Sequence, residues 1–247
     1  MSKKYIENIN DLSKLSQRIV KSHPSGYCGA VVDGPRGYGK TAFCMHIMRE
    51  VYQYVDGTDR DDAWKKVLDN MMFTIGDVIK TLEVIEEIDM DNVIQSQYDH
   101  MIPCVCWDDA GMHGGRLKHF VDMNLVDQLN SVMDTARDAV SGFLINAPER
   151  EGLLSFIRRY RDNLWVTVGL NPKTMGDKYK RVATVRRIVT RHDGRRNWRL
   201  AFQTTFSCYV DKWAYTEYKK MKIGAVREGL AHLKMLHDRK EKDKKFD

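Results

Sequence analysis

The chain has 247 residues, of which 43% are hydrophobic and 30% charged, and its formal net charge is +6. This composition is ordinary for a soluble globular protein, and no apolar run approaches the ~20 residues that a membrane-spanning helix needs. The N-terminal residues lack the apolar core of a secretory signal, and the five cysteines lie mostly in apolar segments. We therefore expect buried thiols, a cytoplasmic location and no membrane span.

The positive charge is concentrated in the last third of the chain. Residues 1–172 contain 19 Lys and Arg against 25 Asp and Glu, whereas residues 173–199 contain ten against two, and residues 212–247 contain 11 against six. Such a concentration indicates an anionic polymer or surface as a partner. We therefore expect a core at 1–172 and a basic appendage of the same domain at 173–247.

The first predicted elements are a helix, a strand and a second helix. Residues 9–22 place apolar side chains at helical spacing, and the Ser-His-Pro-Ser-Gly segment at 22–26 ends that helix. Residues 27–33 then have the pattern of a buried strand. From Ala42 to about residue 54, apolar residues recur at helical spacing again.

The segment between this strand and the second helix carries the strongest signal in the chain. Residues 34–41 have the sequence Gly-Pro-Arg-Gly-Tyr-Gly-Lys-Thr and fit the pattern G-x-x-x-x-G-K-[ST] at every fixed position. The glycines let successive N–H groups converge on phosphate oxygens at the positive end of the following helix. Lys40 adds a charge for the outer phosphates, and the Thr41 hydroxyl is suited to bind Mg²⁺. The predicted nucleotide-binding residues are Gly34, Pro35, Arg36, Gly37, Tyr38, Gly39, Lys40, Thr41 and Ala42.

A second apolar strand ends in two acidic residues. Before it, residues 60–88 predict two helices around a short strand at 73–75. Residues 101–107 are then a nearly continuous apolar run that ends in Asp108 and Asp109. This pattern predicts a buried parallel strand that delivers a carboxylate beside the glycine-rich segment at 34–41, here called the phosphate loop. Asp108 is the predicted Mg²⁺ ligand, and Asp109 is the candidate base or water-orienting acid.

Strands and helices continue to alternate. A helix from about residue 125 to 139 leads to a buried strand at 142–145, which stops at Asn146. Asn146 can orient the attacking water or sense the γ-phosphate, and the alternative is a loop residue that bonds its own backbone. A helix at 149–160 and a strand at 164–168 follow. The alternation predicts a parallel sheet covered on both faces.

The character of the chain then changes to a basic hairpin and a last helix. Residues 182–189 and 198–206 predict two strands, and the Asp-Gly pair in the loop at 191–196 is a strong hairpin signal. A helix is predicted from Trp213 to about residue 240. The hairpin is a candidate nucleic-acid contact, and the alternative is an edge hairpin that charge protects from aggregation. The candidate nucleic-acid-binding residues are Arg186, Arg187, Arg191, Arg195, Arg196 and Trp198.

With the phosphate loop and the acidic strand in place, residues 27–168 resemble the P-loop NTPase superfamily. More narrowly, they resemble its ATPase division, in which an additional strand separates the phosphate-loop strand from the acidic strand. The helix, strand and hairpin after Asn146 are similar to HerA/FtsK-like and Zot-like ATPases of viruses and plasmids. The Asp-Asp-x-Gly sequence at 108–111 resembles the DnaC- and DnaA-like ATPases of the AAA+ class. This is the second choice, because that class carries a helical lid after its polar sensor strand where this chain continues with a helix, a strand and a hairpin. The resemblance implies an α/β fold with a mostly parallel sheet, helices on both faces, a β-hairpin and a C-terminal helix.

The resemblance also implies ATP and Mg²⁺ as cofactors and a homo-oligomer. Lys40, Thr41, Asp108 and Asp109 take the family roles, and Asn146 stands at the polar sensor position. Asp109 replaces the usual Glu and is one methylene shorter, which leaves the turnover rate open. The candidates for an arginine finger that acts on a neighbouring subunit are Arg158, Arg159 and Arg161.

The predicted function is hydrolysis of ATP to move, load or remodel nucleic acid, with DNA ahead of RNA. One alternative is a nucleotide or small-molecule kinase that uses the arginine-rich residues 173–199 as a lid over its substrate. Another is a nucleotide switch that does not hydrolyse ATP and binds a protein partner.

Overall fold

The computed structural model describes residues 6–110, 135–147, 163–170, 177–190, 192 and 196–243. The chain divides into two compact units, Met1–Val210 and Asp211–Asp247. The division falls after the basic hairpin, whereas the balance of charge changes near residue 172. The physical reason is that the hairpin continues the hydrogen bonding of the central sheet and so belongs to the first unit.

The first unit is built on a seven-stranded sheet with the order β2-β3-β4-β1-β5-β6-β7. The first five of these strands run parallel, whereas β6 pairs antiparallel with β5 and β7 pairs antiparallel with β6. The structure thus confirms the predicted α/β fold with a mostly parallel sheet and a hairpin. The strands are β1 (Cys28–Asp33), β2 (Met71–Met72), β3 (Val105–Trp107), β4 (Gly142–Asn146), β5 (Leu164–Leu170), β6 (Lys180–Thr190) and β7 (Arg196–Ser207).

Helices connect the parallel strands. Thr74 caps one of them, because its side chain accepts a hydrogen bond from the Asp77 N–H while the Asp77 carboxylate accepts from the Thr74 N–H. Residues 135–139 are also helical and precede β4. The helices are α1 (Lys14–Ser22), α2 (Lys40–Val55), α3 (Arg60–Asp69), α4 (Ile75–Leu82) and α5 (Val93–His100), with 3₁₀ turns at Ile9–Asp11, Glu83–Glu87 and Met90–Asn92.

Both faces of the parallel strands are buried, as predicted. On one face, Ile19 of α1 packs against Gly142, and the Tyr52 hydroxyl of α2 donates a hydrogen bond to the Cys104 carbonyl over 2.6 Å. The opposite face carries a cluster of buried apolar residues from five strands, α4 and the helical residues 135–139. Its largest members are Trp107, Phe143 and Trp165. Alternate residues along each strand supply the two faces, as the pleat requires.

The second unit contains one long helix, α6 (Lys212–Asp243), where the sequence predicts a helix from Trp213 to about residue 240. Several of its apolar side chains are exposed, including Ile223 and Leu230. Across the described parts of the chain, no helix combines the length and apolar content that crossing a membrane requires.

Some predicted boundaries differ from the structure. The structure has a strand at Met71–Met72 where the sequence predicts one at 73–75. The N–H groups of Phe73 and Thr74 donate hydrogen bonds to the Asp77 carboxylate at the start of α4 and so are not available to a neighbouring strand. Of the helix predicted at 125–139, only residues 135–139 are described, and the helix predicted at 149–160 lies outside the described residues.

Candidate functional site

The loop at 34–41 needs glycine for both conformation and space. Gly34, Gly37 and Gly39 have φ values of 136°, 79° and 87°, in the region that side chains rarely adopt. A Cβ on Gly34 would lie 2.3 Å from the carbonyl oxygen of Val168, and one on Gly39 would lie 2.8 Å from Cβ of Cys208. The loop is therefore seated between β5 and the end of the hairpin. It turns directly into α2, whose first residue is Lys40.

Lys40 is held inside this loop. Its side chain is buried, and Nζ donates hydrogen bonds to the carbonyl oxygens of Gly34 over 2.7 Å and Pro35 over 3.2 Å. Burial lowers the pKa of the Lys40 ammonium from its ordinary value, and nearby carboxylates, that of Asp109 foremost, oppose this shift. The ammonium thus spans the loop on its inner side, where phosphate oxygens would enter.

Thr41, Asp108 and Asn146 meet beside the loop. The Thr41 hydroxyl donates a hydrogen bond to Oδ1 of Asp108 over 3.0 Å, and Nδ2 of Asn146 donates to the Thr41 hydroxyl over 3.0 Å and to Oδ1 of Asp108. Asp108 is 0% exposed. The three come together because β1, β3 and β4 run parallel and end at the same edge of the sheet, here called the carboxyl edge.

These groups suit a hard divalent cation. The Thr41 hydroxyl and the Asp108 carboxylate are oxygen donors within 3.0 Å of each other, and Mg²⁺ prefers such oxygen ligands together with phosphate oxygens. Oδ1 of Asn146 is buried and has no hydrogen-bond partner within the described structure, so the site also offers an unused acceptor. No group of three or more His, Cys, Asp and Glu side chains suited to a metal occurs among the described residues. The Thr41 and Asp108 oxygens would supply part of the coordination of such a cation.

Asp109 follows in an unusual backbone conformation. Its φ is 52°, in the left-handed region that non-glycine residues seldom occupy. The Asp109 carboxylate is the strongest of the charges that act on Lys40, so the second acid also belongs to this site.

Asp33 and Trp165 belong to the surroundings of the site, although the sequence patterns above do not single them out. Oδ2 of Asp33, at the end of β1, accepts a hydrogen bond from Nε1 of Trp165 over 3.0 Å. The Trp165 ring in turn meets the Trp198 ring edge to face, with centroids 5.4 Å apart. A polar residue at the end of a buried strand, beside the phosphate loop, is the signal that identifies Asp108, and it applies equally to Asp33.

The candidate nucleic-acid residues that the structure describes lie on β6 and β7. Because β6 and β7 are antiparallel, the hairpin starts and ends at the carboxyl edge, whereas Thr190 and Arg196 lie at the opposite edge. Arg187 is exposed, and Nη1 of Arg186 donates to the Thr167 hydroxyl over 3.4 Å. Trp198 is half-buried against Trp165. Arg158, Arg159, Arg161, Arg191, Arg195 and the side chain of Arg196 lie outside the described residues.

The strand order and the loop together decide the fold. β4 lies between β1 and β3, so one strand separates the strand that leads into the glycine-rich loop from the strand that ends in Asp108. The chain has the fold of a P-loop NTPase.

Comparisons with known proteins give distant similarities. No protein-family model matches the chain. A protein of Sulfolobus spindle-shape virus 1 named uncharacterized protein B-251 is 23% identical over 213 residues, which span 85% of this chain and 79% of the viral protein. A crystal structure of a KaiC-like protein from the hyperthermophilic archaeon Pyrococcus horikoshii matches with a TM-score of 0.36 and 12% identity, over 81% of this chain and 94% of the other.

Proposed function

We propose that the protein is a Mg²⁺-dependent ATPase that uses hydrolysis to move, load or remodel nucleic acid. The observation that carries the proposal is the contact of Thr41, Asp108 and Asn146 directly beside the glycine-rich loop. A loop that cradles phosphates, a buried carboxylate and a hydroxyl at one place are the parts that phosphoryl transfer requires.

Each residue has a separate role in this proposal. Lys40 neutralises the outer phosphates, and the Thr41 hydroxyl and the Asp108 carboxylate hold the Mg²⁺. When bound, Mg²⁺ neutralises charge on the phosphates and orients them for attack. Asp109 accepts the proton of the attacking water, and Asn146 orients that water through its unused Oδ1.

The nucleic-acid part of the proposal rests on charge. Residues 173–199 contain ten Lys and Arg against two acids. This basic segment includes all of β6 and the first residues of β7. The viral source of the relative described above agrees with a role in a mobile element. We further propose a homo-oligomer in which Arg158, Arg159 or Arg161 acts on the neighbouring subunit's nucleotide.

Substitution of Lys40 tests the proposal. Lys40→Ala should abolish ATP hydrolysis, because the charge that reaches the β- and γ-phosphates is removed. Phosphate release is measured with no polymer, with single-stranded DNA and with double-stranded DNA. Lys80→Ala, which removes an exposed lysine of α4, is the control and should keep the parent rate.

The same assay separates the alternatives. Stimulation by DNA supports the proposed function, whereas stimulation by a nucleoside monophosphate would identify a kinase. Tight ATP binding with negligible turnover and no affinity for nucleic acid would identify a switch. Parent-like hydrolysis by Lys40→Ala would show that residues 34–41 are not the site of reaction.

A further inference from the structure

Two tyrosines lie where the hairpin meets the phosphate loop. Tyr179 precedes β6, and Tyr209 follows β7. Between them, the Cys208 N–H donates a hydrogen bond to the Tyr179 carbonyl over 2.8 Å, and Cys208 is the residue that abuts Gly39 of the loop. The Tyr209 carbonyl is 2.8 Å from Nε2 of His46 in α2. The pair is thus fixed to the loop and to the helix that the loop begins.

The rings themselves are exposed although their backbones are fixed. Tyr179 is 42% exposed and Tyr209 is 51% exposed, and the ring centroids are 5.9 Å apart with an interplanar angle of 85°. Nζ of Lys178 lies 5.0 Å from the Tyr179 ring centroid. Two aromatic faces on a rigid support are suited to receive another flat ring, because little conformational freedom is given up when that ring binds.

The strand order places this pair opposite the metal ligands. β4 and β3, which deliver Asn146 and Asp108, lie on one side of β1, whereas β5, β6 and β7 lie on the other. Arg181 of β6 also approaches the loop, since its Cγ would lie 3.9 Å from a Cβ on Gly39, and its buried Nε has no hydrogen-bond partner within the described structure. The loop therefore has acidic metal ligands on its β3 side and aromatic and cationic groups on its β6 side.

We infer that Tyr179 and Tyr209 form the subsite for the base of the bound nucleotide, with Arg181 beside the phosphate nearest the ribose. The inference rests on the proposed function, in which residues 34–41 bind the triphosphate. A nucleotide whose outer phosphates meet Lys40 and Asp108 has its nucleoside on the β6 side of the loop. The base stacks on an exposed tyrosine face, so purines bind more tightly than pyrimidines because their larger rings stack more strongly.

Binding of ATP and of inorganic tripolyphosphate tests the inference, because only ATP carries a base. Isothermal titration calorimetry with Mg²⁺ compares the parent with Tyr179→Ala, Tyr209→Ala and the double variant. The double variant should bind ATP roughly 5- to 100-fold more weakly, the range expected when a base can no longer stack on an aromatic side chain. Its affinity for tripolyphosphate should equal that of the parent, and its preference for ATP over CTP should disappear.

Two further variants complete the test. Tyr209→Phe keeps the ring and should keep the ATP affinity, and Tyr98→Ala removes a similarly exposed tyrosine of α5 and should change the binding of neither ligand. Equal ATP affinity in the parent and the double variant would overturn the inference. So would an equal loss of affinity for both ligands, since the tyrosines would then support the phosphate loop and not the base. A parent that bound neither ligand would contradict the proposed function itself.

Discussion

At the scale of single residues, the buried Asp108 carboxylate requires explanation. A fully buried charge is costly unless hydrogen bonds or an opposite charge compensate it. Thr41 and Asn146 both donate to it, and the Lys40 ammonium is near enough for the carboxylate to act on its pKa. These partners fix the carboxylate at the position where it would meet a metal, so its orientation is set before the nucleotide arrives.

The two adjacent acids should respond differently to the same substitution. Asp108→Asn removes a metal ligand and should weaken Mg²⁺-dependent ATP binding. Asp109→Asn should leave Mg²⁺-ATP binding intact and slow hydrolysis by ~10²-fold or more, the scale of a missing general base. Calorimetric binding and single-turnover hydrolysis distinguish the two effects. Equal losses of binding would mean that both carboxylates hold the metal.

Much of this site can be predicted from the sequence. Lys40 and Thr41 follow from a motif with fixed spacing, and Asp108 and Asn146 follow because polar residues that end parallel strands meet at one edge. Tyr179 and Tyr209 cannot be predicted in this way. Their position depends on the antiparallel register in which Lys180 pairs with Ser207, and no local pattern encodes that register.

At the scale of elements, the strands that flank the loop depend on close packing by the helices. A Cβ on Gly142, in β4, would lie 2.7 Å from Cγ2 of Ile19 in α1 and 2.9 Å from Sγ of Cys104. Both neighbours are themselves fully buried and cannot move without disturbing the core. The absence of a side chain at 142 therefore lets α1 lie directly on the sheet.

The same substitution should have opposite effects at two glycines. Gly142→Ala should lower the free energy of unfolding by ~1–3 kcal/mol, the usual cost of overpacking a core. Gly76→Ala, in α4, meets only Oγ1 of Thr74 at 3.5 Å and should raise the free energy of unfolding by up to ~1 kcal/mol, because alanine favours the helix. Urea denaturation measures both. A Gly142→Ala variant as stable as the parent would show that α1 can shift on the sheet.

The element boundaries show where the apolar pattern alone fails. The largely apolar residues at 71–75 do not reveal that their strand stops after Met72. What stops it is a capping box, Thr74 with Asp77, and this signal is local and visible in the sequence. The Asp-Gly pair predicts that a hairpin is present. It does not predict that β6 has 11 residues and β7 has 12, because these lengths depend on pairing along the edge of the sheet.

At the scale of the molecule, the first unit separates its two proposed binding functions. β6 has 11 residues and therefore spans roughly 33 Å at the usual rise of a strand. The phosphate loop lies near the Lys180 end of this span, whereas Thr190 and Arg196 lie at the other end. We therefore expect substitutions of the basic residues that follow Thr190 to change nucleic-acid binding without changing ATP binding.

The turn of the hairpin should bind nucleic acid mainly through charge. Replacement of Arg191, Arg195 and Arg196 by alanine should weaken binding across sequences, because pairing of arginine with phosphate releases counterions. It should also flatten the dependence of affinity on salt, with the slope smaller by ~1 for each phosphate that the turn no longer neutralises. Fluorescence anisotropy with labelled single- and double-stranded DNA over a series of salt concentrations measures both quantities.

A matched triple variant decides whether this effect belongs to the turn or to net charge alone. The control replaces three exposed basic residues of the acidic part of the chain by alanine, and these are Arg60, Lys65 and Lys80. Both variants lack three positive charges, but only the hairpin variant should lose affinity for DNA, and both should bind ATP as the parent does. Equal effects of the two variants on DNA binding would mean that the overall field attracts the polymer. If neither changed DNA binding at any salt concentration, the hairpin would be a charged sheet edge, and the basic helix α6 would become the candidate surface.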